Sequence, residues 1–218
     1  MTFMKHSKLV LVFFIGLFLA ACGESTTAPP KEGGSSSSSP MVKKAAAIPA
    51  LQEGDEIVVI ETDFGKIKLQ LFPDVAPKHV ENFKKLINEG FYNGTAFHRA
   101  IPDLIIQGGD PNTKSGGRET WGMGQPDQPK INAEFNDRPF IKGTLGAARG
   151  GEVNSASSQF FICAAPNPQW DGQYTNFGQV IEGQSNVQVM THTPIDAKQL
   201  VQDKMVINKM YLEKYKKK

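Results

Sequence analysis

The sequence predicts a mainly β domain, an antiparallel barrel with two helices packed on it. Short runs of alternating apolar and polar residues support this class, as where Ile67, Leu69 and Leu71 alternate with polar side chains, because such a strand buries one face and exposes the other. Turn residues separate these runs, which favours antiparallel pairing through short connections. Apolar residues recur at helical spacing in segments 77–90 and 185–191. Many short strands with few helices are typical of a barrel.

The first predicted elements are a hairpin and a helix. Residues 55–72 form the hairpin, with its turn at 63–65, where a glycine can adopt the backbone angles of a tight turn. The helix begins at Pro77, because proline suits the first helical turn, and it ends at Gly90, because glycine is common just after the last turn.

The remaining elements are mostly short strands. Asn93-Gly94 is a strong signal for a two-residue hairpin turn. Runs rich in β-branched and aromatic residues follow, then the second helix and a final strand. The predicted strands are 95–100, 104–107, 143–148, 159–163, 177–181 and 205–213, with the second helix at 185–191.

Composition excludes several classes of protein. The chain has 218 residues, of which 39% are hydrophobic and 21% charged, which is ordinary for one folded domain. Without Lys5 and Lys8, the remaining chain has 22 basic and 22 acidic residues, and a neutral chain is not expected to bind nucleic acid. Two cysteines cannot form a disulfide framework or a four-cysteine zinc site.

The first 21 residues predict a signal peptide. Two lysines precede an uncharged apolar run at 9–21, which as a helix would cover roughly 20 Å and is too short to span a bilayer core of about 30 Å. The sequence Leu19-Ala20-Ala21-Cys22-Gly23 resembles the lipobox of bacterial lipoproteins. That resemblance implies cleavage before Cys22, lipidation of Cys22 and a membrane anchor, with the outer membrane favoured. The alternative is an ordinary secretory signal with a chance cysteine after the cleavage point.

Residues 22–50 predict a flexible tether between this anchor and the folded domain. The segment is rich in serine, proline and glycine and contains no aromatic residue. It cannot bury enough apolar surface to offset the entropy of ordering it. The folded domain is therefore assigned to 51–218.

The sequence contains none of the common catalytic motifs, but Arg99 has an unusual position. The chain lacks the histidine spacing of zinc peptidases, the serine elbow of hydrolases and a complete dinucleotide loop. Arg99 lies within a largely apolar β-rich run, where an unpaired charge would cost several kcal/mol. It is therefore either paired in a structural salt bridge or placed at the edge of a cleft.

Two further segments join Arg99 in a known pattern. Gln107 and Gln159 stand beside apolar runs at 104–110 and 157–163, where their amides can bind an extended backbone. Together these segments resemble the signature of the cyclophilin peptidyl-prolyl isomerases, over residues 57–210. The family fold implied is an eight-stranded antiparallel barrel capped by two α-helices, consistent with the pattern of elements.

The resemblance implies roles for individual residues. Arg99 matches the catalytic arginine, and Gln107 matches a glutamine that holds both the substrate backbone and that arginine. The remaining implied substrate-binding residues form the proline pocket or bind the peptide backbone. They are Leu104, Ile105, Phe161, Ala148, Arg149, Trp170 and Tyr174. Leu104 and Arg149 depart from the commoner phenylalanine and asparagine, and the Gly-, Pro- and Gln-rich segment 118–130 is longer than usual.

The implied function is isomerisation of X-Pro bonds in proline-containing polypeptides, assisting the folding of cell-envelope proteins. The reaction needs no metal or cofactor, and the protein is expected to be monomeric and to face the periplasm or exterior. The alternative is a lipid-tethered module that binds proline-containing segments without catalysis, which the departures at Leu104 and Arg149 favour and the retained Arg99 opposes. A purely structural envelope lipoprotein is a third possibility.

Overall fold

The computed structural model describes residues 47–217. The predicted signal peptide, the lipidation site Cys22 and the tether up to residue 46 lie outside the described residues. Ala47 and Pro49, which the sequence assigns to the tether, accept hydrogen bonds from the folded part: Arg138 Nη1 donates to Ala47 O at 3.0 Å, and Gln70 Nε2 donates to Pro49 O at 3.0 Å.

Eight strands and three α-helices form within the described residues. The helices are α1, Pro77–Asn88, α2, Asn112–Ser115, and α3, Gln184–Thr191. The strands are β1, Glu56–Thr62, β2, Gly65–Leu71, β3, Ala96–Ile101, β4, Ile105–Gly108, β5, Thr144–Ala147, β6, Phe160–Cys163, β7, Asn176–Glu182, and β8, Leu200–Lys214.

The strands close into an antiparallel barrel. Their order is β1-β2-β7-β5-β6-β4-β3-β8, and β8 pairs with β1 to complete the ring. A closed barrel leaves no unpaired sheet edge. The predicted eight-stranded barrel is confirmed.

The barrel interior is filled by the alternating apolar residues that predicted the strands. Ile67 and Leu69 of β2 are fully buried, as are Phe160 and Ile162 of β6 to within 1%. α1 adds Val80, Phe83 and Ile87 to this main core, and α3 adds Val187 and Met190. The three- and four-residue spacing in α1 is what places one helical face on the barrel.

Three sequence-based details differ from the structure. Asn93-Gly94 forms a turn between α1 and β3, with Gly94 at φ 79°, so the predicted hairpin there is wrong. β8 begins at Leu200 instead of 205, because the exposed polar residues 202–204 interrupt the apolar pattern. The one-turn helix α2 has no apolar periodicity and was not predicted.

In the described part of the chain, no helix is both long and apolar enough to cross a membrane.

Candidate active site

Four neighbouring strands place one residue each in a single row across the barrel wall. Arg99 of β3 pairs with Gln107 of β4, Gln107 pairs with Phe161 of β6, and Phe161 pairs with Gly146 of β5. Paired residues of adjacent strands are close neighbours. A cation, an amide and an aromatic ring are therefore brought side by side by register alone.

The pairing of β3 with β8 changes register between Phe97 and Arg99. The partner in β8 shifts from Met205 opposite Phe97 to Leu200 opposite Arg99. Phe97 packs in the main core, whereas Ile101 packs with a second apolar cluster outside it. Residues 97, 99 and 101 would share one face in a regular strand, so the irregularity redirects the strand between its two ends.

This second cluster, called here the outer cluster, lies beside Arg99 and Gln107. Its buried members include Phe140 and Phe161, and half-buried residues pack against them. Two rings meet Phe161 edge to face: the ring centroid of Phe161 lies 5.2 Å from that of Trp170 and 5.7 Å from that of Tyr174. The outer cluster comprises Ile101, Leu104, Ile105, Phe140, Ala148, Phe161, Cys163, Trp170 and Tyr174.

The guanidinium of Arg99 is held by two glutamines. Nη1 donates to Gln107 Oε1 at 3.1 Å, while Nε and Nη2 donate to Gln199 Oε1 at 3.1 and 2.5 Å. Burial lowers the pKa of Arg99 from its usual value, but arginine remains charged at physiological pH. Arg99 is thus a half-buried cation with neutral partners, and the structural salt bridge considered above is not what holds it.

Gln107 and Gln159 extend the polar contacts away from Arg99. Gln107 Nε2 donates to Gln159 Oε1 at 3.0 Å, and Gln159 Nε2 donates to the carbonyl of Gly122 at 3.1 Å. A cavity of about 720 Å³ opens beside these two glutamines, bordered by the segment 120–130 on one side and 148–150 on the other. The cavity is large enough for several peptide residues.

Arg149 lies between the cavity and the outer cluster and contacts both. Its guanidinium carbon lies 4.9 Å from the centre of the Tyr174 ring, and Nη2 donates to Gln173 O at 3.1 Å. Ala148 uses its own N–H, which donates to Gln159 O at 3.0 Å. Both residues line the cavity.

The structure brings all of the described candidate residues into one region. Leu104, Ile105, Phe161, Ala148, Trp170 and Tyr174 belong to the outer cluster, Arg99 and Gln107 border it, and Arg149 covers Tyr174. Phe140 and Gln199 were missed. Phe140 lies in an irregular segment with no periodic pattern, and Gln199 lies 100 residues from Arg99 in the sequence.

Within residues 47–217, no group of three or more histidine, cysteine, aspartate or glutamate side chains could hold a metal ion.

Comparison with known proteins identifies the family. Residues 57–212 match the family described as "Cyclophilin type peptidyl-prolyl cis-trans isomerase/CLD". This chain belongs to the cyclophilin-type peptidyl-prolyl cis-trans isomerases. The matched region contains every strand and every α-helix of the barrel except the last two residues of β8 and the first of β1.

Related proteins carry the same activity in their names. The chain is 43% identical over 139 residues to a probable peptidyl-prolyl cis-trans isomerase of Brucella suis, covering 61% of this chain and 70% of the relative. It is 46% identical over 127 residues to a peptidyl-prolyl cis-trans isomerase of Synechococcus elongatus, covering 58% and 81%.

A solved cyclophilin has the same fold. A cyclophilin-type isomerase of Cryptosporidium parvum, crystallised in the presence of the dipeptide Ala-Pro, superposes with a TM-score of 0.63 and 31% identity. The match covers 73% of this chain and 99% of that one. The cyclophilin barrel is therefore shown both by sequence and by structure.

Proposed function

We propose that this cyclophilin accelerates rotation about X-Pro bonds, with Arg99 as the catalytic residue and the outer cluster as the proline pocket. One observation carries the proposal: the half-buried guanidinium of Arg99 lies beside the aromatic outer cluster. Paired residues of adjacent strands, Arg99, Gln107 and Phe161, place the two next to each other. Gln107 would bind the substrate backbone, because its amide lies between Arg99 and the cavity.

A hydrogen-bond donor near the prolyl nitrogen accelerates rotation about an X-Pro bond. Rotation about a peptide bond costs about 18 to 20 kcal/mol, because the nitrogen lone pair is delocalised into the carbonyl. In the twisted transition state the lone pair returns to nitrogen and can accept a hydrogen bond. A fixed guanidinium therefore stabilises the twisted form more than the planar form, which lowers the barrier.

The outer cluster supplies the complementary apolar surface. Phe161 is 4% exposed, and Leu104, Trp170 and Tyr174 are half-buried around it. Burying a proline ring against these side chains would hold the ring while the peptide carbonyl rotates. The adjoining cavity has room for the residues flanking the proline.

The experiment that tests the role of Arg99 is prolyl isomerisation of a short proline peptide by wild type, Arg99→Ala and Arg99→Lys. Loss of one preorganised donor typically reduces turnover by about 10²- to 10³-fold, so Arg99→Ala should lose that factor. Arg99→Lys should recover little, because a lysine lacks the planar fork that two glutamines hold. Circular dichroism provides the control for folding.

Two outcomes would overturn parts of this proposal. Near-normal activity of Arg99→Ala would show that the arginine is structural. An inactive but folded wild type that still binds the peptide would support the alternative, a binding module, for which the stacking of Arg149 on Tyr174 at the pocket wall is the specific observation.

We propose further that the chain acts in the cell envelope, on proline-containing segments of proteins folding there, while anchored by lipid at Cys22. The lipobox-like sequence 19–23 supports this location, and stable anchoring generally takes more than one acyl chain. Cys22→Ala should release the protein from the membrane fraction or leave the signal peptide attached, whereas Ser25→Ala should not. Unchanged fractionation and mass of Cys22→Ala would contradict the anchor.

A further inference from the structure

We propose that Gln199 is a positioning residue, which holds the guanidinium of Arg99 in a fixed orientation for the reaction. The inference rests on the catalytic role proposed above for Arg99. Gln199 is not part of any strand or helix; it lies in the turn that precedes β8. Its side chain nevertheless makes two of the three hydrogen bonds that orient Arg99.

The hydrogen bonds to the two glutamines use three of the five N–H donors of the Arg99 guanidinium. An arginine has five N–H donors in a planar fork. Gln199 Oε1 takes Nε–H and one N–H of Nη2, and Gln107 Oε1 takes one N–H of Nη1. The two remaining donors, one on each terminal nitrogen, are those available to a substrate. Without Gln199, a single bond at Nη1 would remain, and the plane could turn about Nη1.

The backbone of Gln199 indicates that its side chain has a purpose. Its φ is 65°, in the left-handed region that glycine adopts without cost. A residue with a side chain is disfavoured there, because its Cβ comes too close to the following carbonyl oxygen. The main-chain bonds of this residue, Gln199 N to Asp196 O and Ala100 N to Gln199 O, would be equally available to a glycine. What glutamine adds over glycine is the amide that binds Arg99, and strained residues of this kind concentrate at functional sites.

The turn that carries Gln199 is itself anchored. Asp196 Oδ1 accepts the backbone N–H groups of Lys198 and Leu200 at 2.8 and 3.0 Å. Arg118 then joins the turn to another segment: Nη2 lies 3.0 Å from Asp196 Oδ2, and Nε donates to Val201 O at 3.0 Å. These contacts hold the backbone of the turn in place, and a positioning residue such as Gln199 requires such support.

The test compares three substitutions of Gln199 with a matched control in the same turn. Gln199→Gly removes the amide and relieves the backbone, Gln199→Ala removes the amide alone, and Gln199→Glu keeps an acceptor. Lys198→Ala is the control, because the Lys198 side chain is exposed and its contact in the turn is made by the backbone. For each, kcat and KM for a proline peptide are measured beside the thermal midpoint.

We expect Gln199→Gly and Gln199→Ala to lower kcat about tenfold, since small misplacements of a catalytic group have effects of this size or larger. KM should change less than about twofold, because the proline pocket is untouched. The thermal midpoint of Gln199→Gly should equal or exceed that of wild type. Gln199→Glu should recover at least half of the lost kcat, and Lys198→Ala should match wild type.

A kcat of Gln199→Gly within twofold of wild type would overturn the inference, because the reaction would then not need the Gln199 amide that binds Arg99. A loss of kcat in Gln199→Ala that Gln199→Gly restores would overturn it too, since the defect would lie in the turn. Arg99→Ala in the same assay separates the two proposals. If Arg99→Ala is inactive while the Gln199 variants are normal, this inference fails alone; if Arg99→Ala is active, the proposed catalytic role fails first.

Discussion

At the scale of the residue, the position of Phe161 depends on the absence of a side chain at Gly146. A Cβ at Gly146 would collide with the ring atoms Cζ, Cε1 and Cε2 of Phe161. Phe161 is stacked on Phe140 with ring centroids 5.9 Å apart, so the ring has little room to retreat. The position of the Phe161 ring, the floor of the proposed proline pocket, is therefore set by a glycine in the neighbouring strand.

Gly146→Ala should weaken binding of a proline peptide about tenfold and lower the stability of the fold by about 1 to 3 kcal/mol, the usual cost of overpacking. Gly151→Ala is the matched control, because a Cβ there meets no atom within 4 Å. Peptide titration and chemical unfolding measure the two effects. Normal affinity in a folded Gly146→Ala protein would show that the pocket does not need this close contact.

Cys163 carries a thiol that its surroundings make unreactive. It is fully buried in the outer cluster as a free thiol. Burial raises the pKa of the thiol to about 12, and the thiolate is the form that reacts. A thiol reagent at pH 8 should therefore label Cys163 only when the protein is unfolded, as mass spectrometry with and without denaturant can show; rapid labelling of native protein would contradict this.

At the scale of the element, α1 is completed by a residue from a distant loop. Its preceding residue Ala76 makes no side-chain cap. Instead Glu134 accepts the backbone N–H groups of Lys78 and His79, each at 3.0 Å, and also meets His79 Nδ1 at 2.7 Å. A carboxylate at this end also suits the positive end of the helix dipole.

Glu134→Ala should lower the free energy of unfolding by about 1 to 2 kcal/mol, the usual cost of removing a helix N-cap. Glu81→Ala on the same helix is the control, since Glu81 is exposed. Thermal or chemical unfolding measures the difference between them. Equal stability of the two variants would mean that water replaces the Glu134 carboxylate without cost.

The elements that sequence predicts well are those with local signals. The β1–β2 hairpin, α1 and α3 follow from the periodic spacing of apolar residues. Gly65 marks the hairpin turn, and Pro77 and Gly90 mark the start and the end of α1. The resemblance to cyclophilins also led to Arg99, Gln107 and Phe161, which the strand register brings together. It led as well to Trp170 and Tyr174, which pack against Phe161 from outside the strands. The role of Glu134 as a cap and the contact of Gln199 with Arg99 were not predictable, because each depends on a contact between distant segments that lack periodicity.

At the scale of the whole molecule, stability should depend on pH through buried histidine. His98 is fully buried beside Arg99 in the sequence. Burial lowers its pKa to about 4, with Arg99 adding to the decrease and Asp110 opposing it. In the unfolded chain the pKa returns to about 6.5, so between these values the unfolded state binds a proton that the native state does not.

The free energy of unfolding should therefore fall as the pH decreases from about 6.5 to 4, by at most about 3 kcal/mol from this residue, and should not change from this cause above that range. His98→Gln should flatten the dependence, although His79, whose pKa burial also lowers, should keep part of it. His192→Gln, at an exposed position, is the control. An unchanged slope in His98→Gln would mean that the residue is not neutral in the native state.

The 15-residue strand β8 has a consequence for biosynthesis. β8 lies between β1 and β3 in the ring, and the pairs that close it join Glu56 with Lys214 and Ala96 with Val206. Contacts between residues this far apart in the chain form slowly, because a long loop must be closed first. A ribosome must therefore release almost the entire domain before the ring can close, and until then β1 and β3 each expose an unpaired edge to neighbouring nascent chains.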